Sequence, residues 1–89
     1  MENKKYLDKI LGFLKKGVSI EGNYFFLPYN KNNYYFNQRG NIEPFGIHDG
    51  YYEYLSNNFG LTNTESDSLW GEFLVFLYKD ILEKIKNKE

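Results

Sequence analysis

The sequence predicts an α+β fold: an N-terminal helix, a three-stranded antiparallel β meander, a short helix, and a long C-terminal helix packed on the sheet. Three observations carry this. Apolar residues recur at helical spacing at both ends of the chain, runs rich in Tyr and Phe alternate with Gly and Asn turns between them, and those turns are too short for crossovers to parallel neighbours. All 89 residues are expected in one domain, because a chain this short has no material for a second core.

The first helix follows from Leu7, Ile10, Leu11 and Leu14, which fall at i, i+3, i+4 and i+7, with Lys4, Lys5, Lys9 and Lys15 turned to water. Gly17 is expected to end it as a left-handed cap, with Lys15 and Lys16 facing the negative end of the helix dipole.

From residue 18 to 45 the pattern shortens to β-rich runs at residues 18–20, 24–27 and 34–36. Turn residues stand between them at Glu21-Gly22-Asn23, Asn30-Lys31-Asn32-Asn33 and Arg39-Gly40-Asn41. Pro28 belongs at a strand end or on an edge, where its missing N–H breaks no ladder. Residues 34–37 would then form an edge on which a second copy could pair to make a homodimer.

After Pro44 and Gly46, Asp49 is placed to cap a short helix over residues 51–58, ended by Gly60. The last helix has a capping-box start, Thr62 with Glu65 or Thr64 with Asp67. Its stripe is Trp70, Leu74, Leu77, Ile81 and Ile85, widened by Leu69, Phe73 and Phe76 so that its middle is buried on more than one side. Residues 84–89 read as a solvated, frayed tail.

Composition narrows the chemistry. Eight Phe, nine Tyr and one Trp supply the core with rings, while Ala and Cys are absent. Without Cys there is no disulfide scaffold, thiolate metal site or cysteine nucleophile. The N-terminus lacks a secretory-signal pattern and no apolar run approaches the roughly 18 residues of a membrane span, so a cytoplasmic address is expected.

His48 is the one histidine, which excludes two-imidazole sites. Its nearest plausible acid–base partner is Glu53, but the pair is a weak signal, and a loop histidine beside a capping aspartate is the simpler account. The twelve acids single out no glycosidase-like carboxylate pair. The serines form no nucleophile elbow, and Gly46 and Gly50 lack phosphate-loop spacing. No catalytic residue, cofactor or metal is expected.

Net charge is −1 and Arg39 is the single arginine, which argues against a grip on double-stranded nucleic acid. Exposed rings at Tyr24, Tyr34, Tyr35 and Tyr51 could still serve as a stacking platform for a nucleotide or single strand, an alternative reading of the β segment.

The distribution of charge says more than its sum. Residues 1–16 carry five lysines against Glu2 and Asp8, or +3, whereas residues 40–78 contain six acids and no Lys or Arg, or −6. Within that block Glu43, Asp49, Glu53, Glu65 and Asp67 are interleaved with Tyr51 and Tyr52. One acidic, tyrosine-bearing face on the two later helices is therefore expected. It suits a non-enzymatic interaction module, of the inhibitor or immunity-protein kind, docking on a protein with a basic surface, for example one that processes nucleic acid. The competing reading is that Glu65 and Asp67 serve the helix dipole and the other acids serve solubility.

Overall fold

The computed structural model describes residues 2–44, 48 and 50–87. It is α+β. Helix α1 (Glu2–Gly17) is followed by strands β1 (Ser19–Glu21), β2 (Tyr24–Leu27), β3 (Asn30–Phe36) and β4 (Ile42–Glu43), then by α2 (Tyr51–Phe59) and α3 (Asn63–Phe76). A π-helical turn (Leu77–Ile81) joins α3 without interruption to α4 (Leu82–Asn87). The sheet is an antiparallel meander in the order β1-β2-β3-β4. Among the described residues no helix is long and apolar enough to cross a membrane.

The meander has one strand more than the sequence predicts. Two-residue β4 is too short to show a period of its own, and it exists because Phe36 and Tyr35 offer it partners at Ile42 and Glu43. Strand β3 also begins earlier, so residues 30–33 are strand, and the chain reverses at Pro28 and Tyr29. Asparagines read as turn residues because their side chains compete for backbone groups. Here Asn30 does so while remaining in the strand: its Oδ1 accepts from the Asn32 N–H at 2.9 Å. A register shift between Phe26 and Leu27 absorbs the mismatch.

These pairings also correct the expected dimer edge. Tyr35 and Phe36 are paired with β4, with Tyr35 paired to β2 as well, and the Asn37 N–H is bonded to the Asn41 carbonyl at 2.8 Å. Tyr35 and Phe36 thus lie inside the sheet rather than on a bare edge, and the outermost strands are β1 and β4.

The core is the set of residues whose periodicities converge. Ile10, Leu11 and Leu14 of α1 meet Phe25, Leu27, Tyr34 and Ile42 of the sheet, Tyr51 and Leu55 of α2, and a row from the last helix. That row is Leu69, Phe73, Leu77, Ile81 and Ile85, every fourth residue. Trp70 and Leu74, expected at its centre, are half-buried on its flank. Ile85 is buried and the helix runs to Asn87, so the expected fraying from residue 84 is not seen in the described part.

The helix ends follow local chemistry. Thr62 Oγ1 accepts from the Glu65 N–H at 3.2 Å while a Glu65 carboxylate oxygen accepts from the Thr62 N–H at 3.0 Å, a complete capping box. Gly60 closes α2 in the left-handed region, φ 69°. The residue at the start of α2 is Gly50, φ 84°, with no side-chain cap, and the expected cap Asp49 lies outside the described residues.

Gly17 is required for a different reason from the one its sequence context suggests. It keeps helical backbone as the last residue of α1, and a Cβ placed on it would lie 2.4 Å from Pro28 Cβ. The helix end and the β2–β3 turn touch at a point where only a hydrogen fits. Gly17→Ala is therefore expected to lower the calorimetric midpoint by several degrees, equivalent to about 1–3 kcal/mol of overpacking and larger than the gain of helix propensity. An unchanged or raised midpoint would show that the turn yields freely.

Candidate functional site

The acidic, tyrosine-bearing face expected on the later helices loses Tyr51 to the core, while Tyr52, Glu65 and Asp67 make hydrogen bonds within the fold and Asp67 stays exposed. Tyr51 is wholly buried, and its hydroxyl donates to the Ser66 carbonyl at 2.5 Å. Its ring lies edge-on to Tyr29, Tyr52 and Trp70, at centroid separations of 5.7, 5.3 and 4.8 Å. It cannot meet a partner. The Tyr52 hydroxyl donates to the Asp67 carboxylate, tying α2 to the first turns of α3, and Glu65 is held by its capping box. Glu53 remains exposed on α2. Asp49 lies outside the described residues, and Glu43 stands apart on β4, where its Oε1 accepts from Asn37 Nδ2 at 3.2 Å.

His48 is exposed, with its ring 4.1 Å from the Trp70 indole, and its described ring contact is that indole rather than Glu53. Among the described residues no group of three or more His, Asp or Glu could hold a metal ion.

A second acidic aromatic surface is built by the sheet. Side chains alternate across a strand and directly paired residues share a face. Phe25 and Leu27 are buried, so Tyr24 and Phe26 point the other way, as does Tyr35 beside buried Tyr34. Tyr24 and Tyr35 are 44% and 41% exposed, with rings 5.9 Å apart in edge-to-face contact.

The register continues the row on both sides. Glu21 pairs with Tyr24, Tyr24 with Tyr35, and Tyr35 with Glu43. Four strands at about 4.8 Å spacing place the two glutamates about 14 Å apart, with the two phenols between them. The next row on the same face is Ser19, Phe26 and Asn33. Arg39 lines a shallow hollow beside Glu43 without forming an ion pair to it in the described structure.

Of the expected stacking residues, then, Tyr34 and Tyr51 are interior while Tyr24 and Tyr35 form the exposed pair. Glu21 was not among the expected site residues. The signal for it lies in the hairpin: a two-residue Gly22-Asn23 turn, with Gly22 at φ 60°, forces Glu21 opposite Tyr24. Comparison of the chain with protein-family models, with curated proteins and with solved structures yields no match.

Electrostatics set the buried phenols apart. Burial first, then the neighbouring phenols, pushes Tyr29 well above the ordinary phenol value of 10.0. Burial, then Tyr52 and Asp67, does the same to Tyr51. The hydrogen bond to Asp67 is the main cause of the rise at Tyr52. A raised folded-state value means that these contributions to stability are intact below pH 10 and are lost as pH climbs above it. In an alkaline titration followed by tyrosinate absorbance, Tyr29, Tyr51 and Tyr52 are expected to ionise late and together with loss of near-ultraviolet dichroism. Ionisation of all nine tyrosines in one step near pH 10, with the dichroism intact, would contradict the assignment.

Proposed function

We propose that the protein is a non-enzymatic interaction module that docks on a basic segment of another protein through the outer face of its sheet. The observation that supports this reading is the cross-strand row Glu21, Tyr24, Tyr35, Glu43, two exposed phenols held between two carboxylates. Phenol faces attract Lys and Arg cations, and Tyr supplies broad contact area at small entropic cost. The flanking carboxylates speed encounter with positive surfaces and set the position of the cations. Such binding would tether or block the partner rather than transform it.

The same carboxylates weigh against the alternative of a nucleotide or single-strand platform. Single-strand binders combine stacking rings with a positively charged groove, whereas this pair of rings is bracketed by negative charge.

The test is titration with Arg- and Lys-rich peptides followed by nuclear magnetic resonance. The largest shifts are expected at Tyr24 and Tyr35, with affinity falling as salt is added. The double variant Glu21→Lys with Glu43→Lys should weaken binding at least tenfold, and Glu53→Lys should leave it within twofold. Shifts centred on Tyr52 and Asp67, or equal affinity for the double variant, would overturn the reading.

A further inference from the structure

A groove of about 540 Å³ runs between α1 and α3, and its two walls carry the same pattern. On α1, Asp8, Leu11, Gly12 and Lys15 fall at i, i+3, i+4 and i+7. On the last helix, Glu72, Val75, Phe76 and Lys79 fall at the same intervals. Each wall thus has an acid at one end, a lysine at the other and apolar or small residues between.

The walls are also aligned. The Tyr6 hydroxyl donates to the Phe59 carbonyl just upstream of α3, while Lys15 Nζ lies 5.5 Å from the centre of the Phe76 ring at the end of α3. The two helices therefore run in the same general direction, and the acids Asp8 and Glu72 share one end of the groove. Lys15 and Lys79 share the other, together with Asp80, so the ends carry −2 and +1.

The middle of the groove is open and apolar. Val75 is 54% exposed although Phe73 and Leu77 beside it are fully buried. Nothing lies within 4 Å of a Cβ built on Gly12 or Gly71, so a helix could approach both backbones closely. Asp8, Lys15, Glu72 and Lys79 have no ion-pair partner within the described structure.

We infer that the occupant of this groove is a second copy of the chain, related by a two-fold axis. A two-fold rotation across the groove reverses the direction of both helices. It sets the acidic end of each copy against the lysine end of the other and brings the Gly12 and Val75 positions together at the middle. The arrangement is self-complementary because both walls carry the same acid-to-lysine order. A net charge of −1 leaves little general repulsion between copies. The surface shares no residue with the tyrosine row of the sheet, so this inference stands independently of the proposed function.

The test is sedimentation equilibrium of the full chain at concentrations up to about 1 mM. A species of twice the 10.6 kDa chain mass is expected to accumulate with concentration. The variant pair Asp8→Lys with Glu72→Lys, and separately the pair Lys15→Glu with Lys79→Glu, should each be monomeric with unchanged circular dichroism. Mixing the two variants should restore a dimer, because each then presents the charges that the other lacks. Val75→Arg, at an exposed position, should also give a monomer that remains folded. A wild-type chain that stays at 10.6 kDa, charge variants that dimerise as well as wild type, or a mixture that fails to restore the dimer would overturn the inference.

Discussion

The architecture depends on one interior phenol. Tyr51 stands at the first position of α2, and its hydroxyl finds the Ser66 carbonyl while its ring lies against Trp70, Tyr52 and Tyr29. Those contacts join three separate parts of the chain, namely α2, the start of α3 and the turn between β2 and β3. Edge-to-face ring pairs contribute about 0.5–1.5 kcal/mol each beyond the area they bury. A buried hydroxyl without a partner would cost about 1–3 kcal/mol, so the bond to Ser66 makes the site tolerable to a polar group. With neither alanine nor cysteine in the chain, ring packing of this kind fixes the relative positions of the elements.

The division of labour among the acids follows from the same geometry. Glu65 saturates the first turn of α3, and Asp67 accepts the Tyr52 hydroxyl. Other outward carboxylates are dispersed, among them Glu53 on α2, Glu72 beside the helical groove, and Glu21 with half-buried Glu43 on the sheet. A count of charge along the chain merges Glu43, Glu53, Glu65, Asp67 and Glu72 into one block and leaves Glu21 out of it. Only register and helix phase separate the acids used internally from those that a partner could meet.

Much of the architecture was legible because local chemistry determined it. The spacing of Leu7, Ile10, Leu11 and Leu14, the Thr62 capping box and the glycine after α2 all operate within a few residues, and the elements appear where those signals place them. What was hidden depends on distant residues. Strand β4 exists through its pairing with β3, and Gly17 is needed because Pro28 arrives beside it. Tyr51 and Tyr52 are chemically identical neighbours, yet helix phase sends the first into the core and leaves the second half-buried against Asp67. The candidate site was legible only in part for the same reason: Glu43 was identified from charge, whereas Tyr24 and Tyr35 were recognised as rings without their place between carboxylates.

The π-helical turn at residues 77–81 bears on how the last helix keeps contact with the core over its full length. In ordinary α-helical winding, residues four apart advance by about 400°, so a row at that interval swings by about 40° per step and about 160° between Leu69 and Ile85. All five members of the row are nonetheless buried. A wider turn rotates less per residue and takes back part of that swing. The local change of pitch therefore acts as a partial phase correction, helping one uninterrupted rod keep its buried row against the core from Leu69 to Ile85.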